Sequence, residues 1–90
     1  MGRTQRHLPR YLGKKLRAIR LRLGLDLPQM IELINLPKIP LYRASIFEYE
    51  QNRRTPPLQV LLRYSEVSDV SINDLVDDRK KVDEVMPTRK

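Results

Sequence analysis

Cysteine is absent from this 90-residue chain, which excludes disulfides, thiolate metal sites and cysteine nucleophiles. Tryptophan is absent too, and one Phe with four Tyr is a poor supply of rings for stacking single-stranded RNA bases. The single His, His7, leaves no imidazole pair for a metal and no Ser/His/Asp set with a usable base. The three glycines (Gly2, Gly13 and Gly24) are scattered and form no phosphate-cradling loop. No apolar run approaches the ~20 residues needed to cross a bilayer, and the first ten residues lack the apolar core of a secretory leader. The expectation is a cytoplasmic protein that is not an enzyme, needs no cofactor or metal, and does not engage a membrane. Acids between 66 and 78 read as helix caps and solvated charge rather than as a carboxylate metal site.

Acid is also missing from residues 1–25, which instead carry Arg3, Arg6, Arg10, Lys14, Lys15, Arg17, Arg20 and Arg22. Residues 66–78 carry Glu66, Asp69, Asp74, Asp77 and Asp78. The net charge is +7 and the pI about 10.1. Such a balance favours a polyanionic partner, and the cation-rich N-terminal part is the end suited to phosphates.

What is present is helical periodicity. Ninety residues support one domain with one modest core. Residues 1–8 read as a basic flexible arm, 9–78 as the folded domain and 79–90 as a charged, frayed tail. Helix 1 is expected from Pro9, with Leu12, Leu16, Ile19 and Leu23 buried, Lys14, Lys15, Arg17 and Arg22 on other faces, and Gly24 closing it in a left-handed conformation. Asp26 and Gln29 form a capping box for helix 2, which buries Leu27, Met30, Ile31 and Ile34 and ends near Asn35. Pro37 and Pro40 force an extended connection. Helix 3 runs from Tyr42 or Arg43 to Glu50, with Tyr42, Ile46 and Tyr49 inward, and Asn52 takes a positive φ after it. Helix 4 opens at Pro57 and buries Leu58, Leu61, Leu62 and one of Tyr64 or Ser65. Ser71 caps a short helix 5, Ile72 to Val76, with Val70 and Leu75 in the core. No repeat or strand pattern appears, so the class is all-α with five short helices.

These motifs, in this order, resemble the phage repressor/Cro-type helix-turn-helix family, also called the Xre family. The matching residues are Leu12-Gly13-x-x-Leu16-Arg17-x-Ile19-Arg20, Gly24-Leu25-Asp26, Met30-Ile31-x-x-Ile34, Ile46-x-x-Tyr49-Glu50, Arg53-x-x-Pro56 to Leu61 and Val70-Ser71-Ile72-x-x-Leu75. The resemblance spans Leu12 to about Asp77. There are two departures. The connection between helices 2 and 3 is longer by about five residues than the family's short turn, and Leu27 stands where the family often has a phosphate-contacting Gln.

The resemblance implies a lambda-repressor-like helix-turn-helix with a lengthened turn, in which helix 3 reads the major groove of double-stranded DNA. Its base-contacting places fall on Tyr42, Arg43, Ala44, Phe47 and Glu48. Arg suits guanine, Glu suits cytosine N4, and Ala or Phe suits the thymine methyl group. Arg53 and Arg54, before the N-terminus of helix 4, suit phosphate oxygens, as do Arg10 and Lys14, and Arg6 in the arm. Arg20 and Glu50 are implied as a structural ion pair rather than DNA contacts. The expected role is a bacterial or phage transcriptional regulator binding as a homodimer, with helix 5 and the tail as candidate dimer surfaces. Two alternatives stand beside it: an antitoxin-like or other protein-binding module whose 79–90 tail, through Val82, Val85 and Met86, folds on a protein partner, and an RNA-binding protein using the basic arm.

Overall fold

The computed structural model describes residues 9–85; the arm expected over 1–8, with Arg6 and His7, and residues 86–90 of the tail lie outside them. Six helices follow one another: α1 (Leu12–Arg22), α2 (Leu27–Ile34), α3 (Arg43–Glu50), α4 (Leu58–Ser68), α5 (Ile72–Val76) and α6 (Val82–Val85). There is no strand among the described residues. The all-α class is as expected, with one helix more than the five read from the pattern.

Local chemistry sets most boundaries. The Asp26 carboxylate accepts the Gln29 backbone N–H at 2.9 Å, and the Gln29 side chain accepts the Asp26 N–H at 2.9 Å, so the capping box opens α2. Ser71 accepts the Asp74 N–H at 3.0 Å and opens α5. Gly24, Asn35, Asn52 and Asp69 take positive φ at or just after the ends of α1, α2, α3 and α4. Between 36 and 42 the two prolines keep the chain out of helix.

α1 is the hub: it packs against α3, α4, α5 and α6, while α2 lies on α3 and α4. Leu16, Ile19, Met30, Ile34, Ile46, Val60 and Leu75 are fully enclosed between these helices. Each such side chain contributes about 1.5–3 kcal/mol of burial.

Several expectations are corrected. α1 starts at Leu12, not Pro9. Pro9 lies in a turn whose carbonyl accepts the Leu12 N–H at 3.3 Å. The free N–H groups of Arg10 and Tyr11 go instead to the Asp78 carboxylate, at 2.9 and 3.3 Å. Leu23, expected in the core, is exposed because the helix ends on it. In α4, Leu61 and Tyr64 are buried as expected, but Leu58 and Leu62 are exposed and Val60 is buried instead. That helix is apolar along two neighbouring stripes, and periodicity alone does not choose between them; the buried Pro56 just upstream belongs to the chosen arrangement. Tyr42, expected inward, is 66% exposed. The tail does not fray at once: residues 82–85 form α6, whose Val82 and Val85 pack on the core beside α1.

Lys15 is the largest correction. It lies between Leu12 and Ile19 on the buried face of α1, and its side chain is fully enclosed. Its ammonium donates to the carbonyls of Asp74 (2.6 Å), Leu75 (3.2 Å) and Asp77 (3.0 Å). The charge thus closes the C-terminal end of α5, where orphan carbonyls and the helix dipole favour a cation. Burial pushes its pKa down, against the pull of Asp78, Asp77 and Asp74.

Lys15→Met keeps the aliphatic stem and takes the donor from the Asp74 and Leu75 carbonyls, while the Asp77 carbonyl keeps only the Lys80 N–H at 3.1 Å. Chemical denaturation should show a loss of about 2–4 kcal/mol; an unchanged midpoint would deny the cap its role. The Arg79 guanidinium and N–H hold the neighbouring Asp77 carboxyl down, to about 2. A carboxyl with a folded value below its unfolded one stabilises above roughly pH 4, and that stability is lost as pH falls toward 2. The protection of amides 77–85, relative to the intrinsic exchange rate at each pH, should therefore fall across that window, and Arg79→Ala should flatten the effect.

Candidate nucleic-acid interface

α3 has two unlike faces. Ser45, Ile46, Tyr49 and Glu50 are buried, whereas Arg43, Ala44 and Phe47 are exposed, Phe47 by 46%. The helix opens at Tyr42, whose N–H is accepted by the Ser45 hydroxyl at 3.1 Å. It has no acid in its first turn. The end of α3 is sealed: the Asn52 N–H bonds the Tyr49 carbonyl at 3.1 Å and the Arg53 N–H bonds the Glu48 carbonyl at 2.9 Å. Asn52 has φ +61° there, a conformation Asn tolerates well.

Two joints fix α3 on α1. Arg20 meets Glu50 in a two-pronged pair, Nε to Oε2 at 2.7 Å and Nη2 to Oε1 at 3.0 Å. Its third nitrogen donates to the Leu25 carbonyl at 2.9 Å, joining the α1–α2 turn to the same cluster. Glu50 is almost fully enclosed, and the hydrogen bond to it raises the Arg20 pKa further. The buried Tyr64 hydroxyl has no hydrogen-bond partner among the described residues, and burial pushes its pKa up.

The second joint is Gly13. A side chain there would place a carbon 2.6 Å from the Glu50 carbonyl oxygen and 2.9 Å from that of Tyr49. Only glycine lets α1 come this close to the end of α3. The Gly13 N–H donates to the Asn52 side-chain oxygen at 3.3 Å across the same contact.

Around this joint the structure collects cations. Arg10, Lys14 and Arg17 line a cleft of about 410 Å³ with Glu50, Gln51 and Asn52. Arg10 and Lys14 were named from the sequence. Arg17 and Gln51 were not assigned to the site, although the spacing of Arg10, Lys14 and Arg17 by four and three residues is a signal that could have added Arg17. Arg53 is exposed in the turn after α3 and makes no ion pair among the described residues. Arg54 instead pairs with Glu48 at 3.1 Å, so two residues assigned to different tasks hold each other. Such an exposed pair is worth about 0–1 kcal/mol and yields readily to a competing anion.

The double-mutant cycle at the first joint has a definite expectation. Arg20→Ala and Glu50→Ala each leave one charge without its partner and should each cost ~3–5 kcal/mol. The double variant should lose less than the sum, measured by denaturant unfolding. Additive losses would mean the pair does not couple α1 to α3.

Compared with known protein families, curated proteins and solved structures, the chain matches none.

Proposed function

We propose that this chain is a sequence-specific double-stranded DNA-binding regulator of the helix-turn-helix kind, in which α3 enters the major groove after α2 and the long 36–42 connection. The observation that carries this reading is the arrangement around α3. Its buried face is locked to α1 by Arg20–Glu50 and Gly13. Its other face presents Arg43, Ala44 and Phe47, and Arg10, Lys14 and Arg17 gather in a cleft with Gln51 and Asn52 at the end of α3, next in sequence to the exposed Arg53. A rigid helix carrying a guanine-reading cation and methyl-reading apolar groups, with phosphate-seeking cations gathered near its end, suits simultaneous base and backbone contact. The action is binding without chemistry, in the cytoplasm, on a two-fold symmetric site.

The protein-partner alternative draws less support. Val82 and Val85 of its folding tail are already packed in α6 beside α1.

Selection from a random duplex pool should enrich a palindrome; no enrichment would overturn the proposal. With about 6 phosphates neutralised by two copies, log K should fall against log salt with a slope of roughly −5. A flat dependence would contradict the electrostatic half. Arg43→Ala should cost about 1–3 kcal/mol and relax preference at one base pair, while Arg53→Ala should weaken all sequences alike. Equal losses on selected and random duplexes would remove α3 from the reading role.

A further inference from the structure

α3 carries two acids, and they stand in unlike surroundings. The Glu50 side chain is 2% exposed and locked to Arg20, whereas that of Glu48 is 38% exposed. The Glu48 carboxylate lies 3.1 Å from Arg54 Nε, in a pair open to solvent on both sides. Backbone geometry brings the two together. Asn52 reverses the chain at φ +61°, and the Arg53 N–H closes on the Glu48 carbonyl at 2.9 Å, which leaves Arg54 beside the last turn of α3. The turn is therefore held without the ion pair, and the pair itself adds little stability at such exposure. Arg53 differs from its neighbour, since it meets no carboxylate among the described residues. Of two adjacent arginines, one is open to a phosphate and the other is already neutralised by α3.

Resting on the DNA-binding reading, we infer that Glu48 determines sequence selectivity by withholding Arg54 from phosphates until a base takes its place. A carboxylate on the reading helix repels the duplex backbone at every sequence, and pairing with Arg54 cancels that repulsion together with one cation's attraction. In the major groove the pair has two fates. Opposite cytosine, the N4 amino group donates to the Glu48 carboxylate, so the acid keeps a partner while Arg54 turns to a phosphate oxygen. Opposite guanine or thymine, whose edges there hold acceptors and no donor, Glu48 has only Arg54 and the pair stays closed. An exposed pair suits this exchange because it opens at little cost once both partners are replaced. Base contact by Glu48 and phosphate contact by Arg54 are thus one coupled event.

The test measures duplex affinity against salt for the full chain, Glu48→Gln, Arg54→Ala and the double variant, each shown by circular dichroism to fold as wild type. On random duplex, Glu48→Gln frees Arg54 and should bind roughly three- to tenfold more tightly, with the slope of log K against log salt steeper by about 0.9 for each copy bound. Arg54→Ala leaves the Glu48 charge uncovered and should bind random duplex more weakly. The double variant, with the net charge of wild type, should lose both the gain and the added slope. On the selected duplex, Glu48→Gln gives up the cytosine contact while Arg54 stays on phosphate, so the ratio of selected to random affinity should fall about tenfold. Unchanged or weaker random-duplex binding in Glu48→Gln, or a gain that survives in the double variant, would overturn the inference while duplex binding itself remains. Lost preference at one base pair with no change in slope would also overturn it, since Glu48 would then read a base without Arg54. If wild type selects no duplex, the DNA reading fails and this inference falls with it.

Discussion

The two-pronged bond between Arg20 and Glu50 is the constraint around which the rest of the domain is arranged. Glu50 ends α3 and is enclosed, so its charge is tolerable only while a cation with matched geometry faces it. Arg20 meets that need and at the same time anchors the Leu25 carbonyl, so α1, the α1–α2 turn and α3 share one polar node inside an apolar core. Its net worth in stability is modest, because both charges were desolvated to make it; its consequence is a defined relation between helices. Gly13 completes the relation by letting α1 lie against the last carbonyls of α3.

A second polar exchange joins the two ends of the domain. Asp78 takes the N–H groups that precede α1, and Lys15 of α1 takes the carbonyls that end α5. Each helix end thus receives the charge its dipole favours from a residue remote in sequence. These contacts also decide the surface field. Glu48, Glu50, Glu66, Asp74 and Asp77 pair with internal cations, and Asp78 is held by backbone. Arg10, Lys14, Arg17, Arg43 and Arg53 pair with no carboxylate among the described residues. Unpaired cations are therefore concentrated before and on α1, at the start of α3 and in the turn after it, with Lys38 and Lys81 apart from them.

What the sequence determined by itself was everything set by neighbours along the chain. The Asp26–Gln29 box, the Ser71 cap, the positive-φ positions at Gly24, Asn35 and Asn52, and the bounds of α3 and α5 follow from interactions spanning a few residues. The core stripe of Leu16, Ile19, Met30, Ile34 and Ile46 was legible for the same reason, since helical spacing is a local property. Resemblance added the meeting of Arg20 with Glu50. Only the tertiary structure decided the rest. Lys15 reads as a surface charge until α5 supplies three carbonyls 59 to 62 residues away. The buried stripe of α4 depended on which of two apolar faces met α1, α2 and α5, and α6, locally capped by Glu84 on the Lys81 N–H, is seated where Val82 and Val85 cover core. The partnership of Glu48 with Arg54, and the cleft that sets Arg17 beside Gln51, required the turn after α3 to fold back. Charge and periodicity say which groups seek a partner; which partner they find is settled by packing, because burial and close approach are properties of the assembled chain.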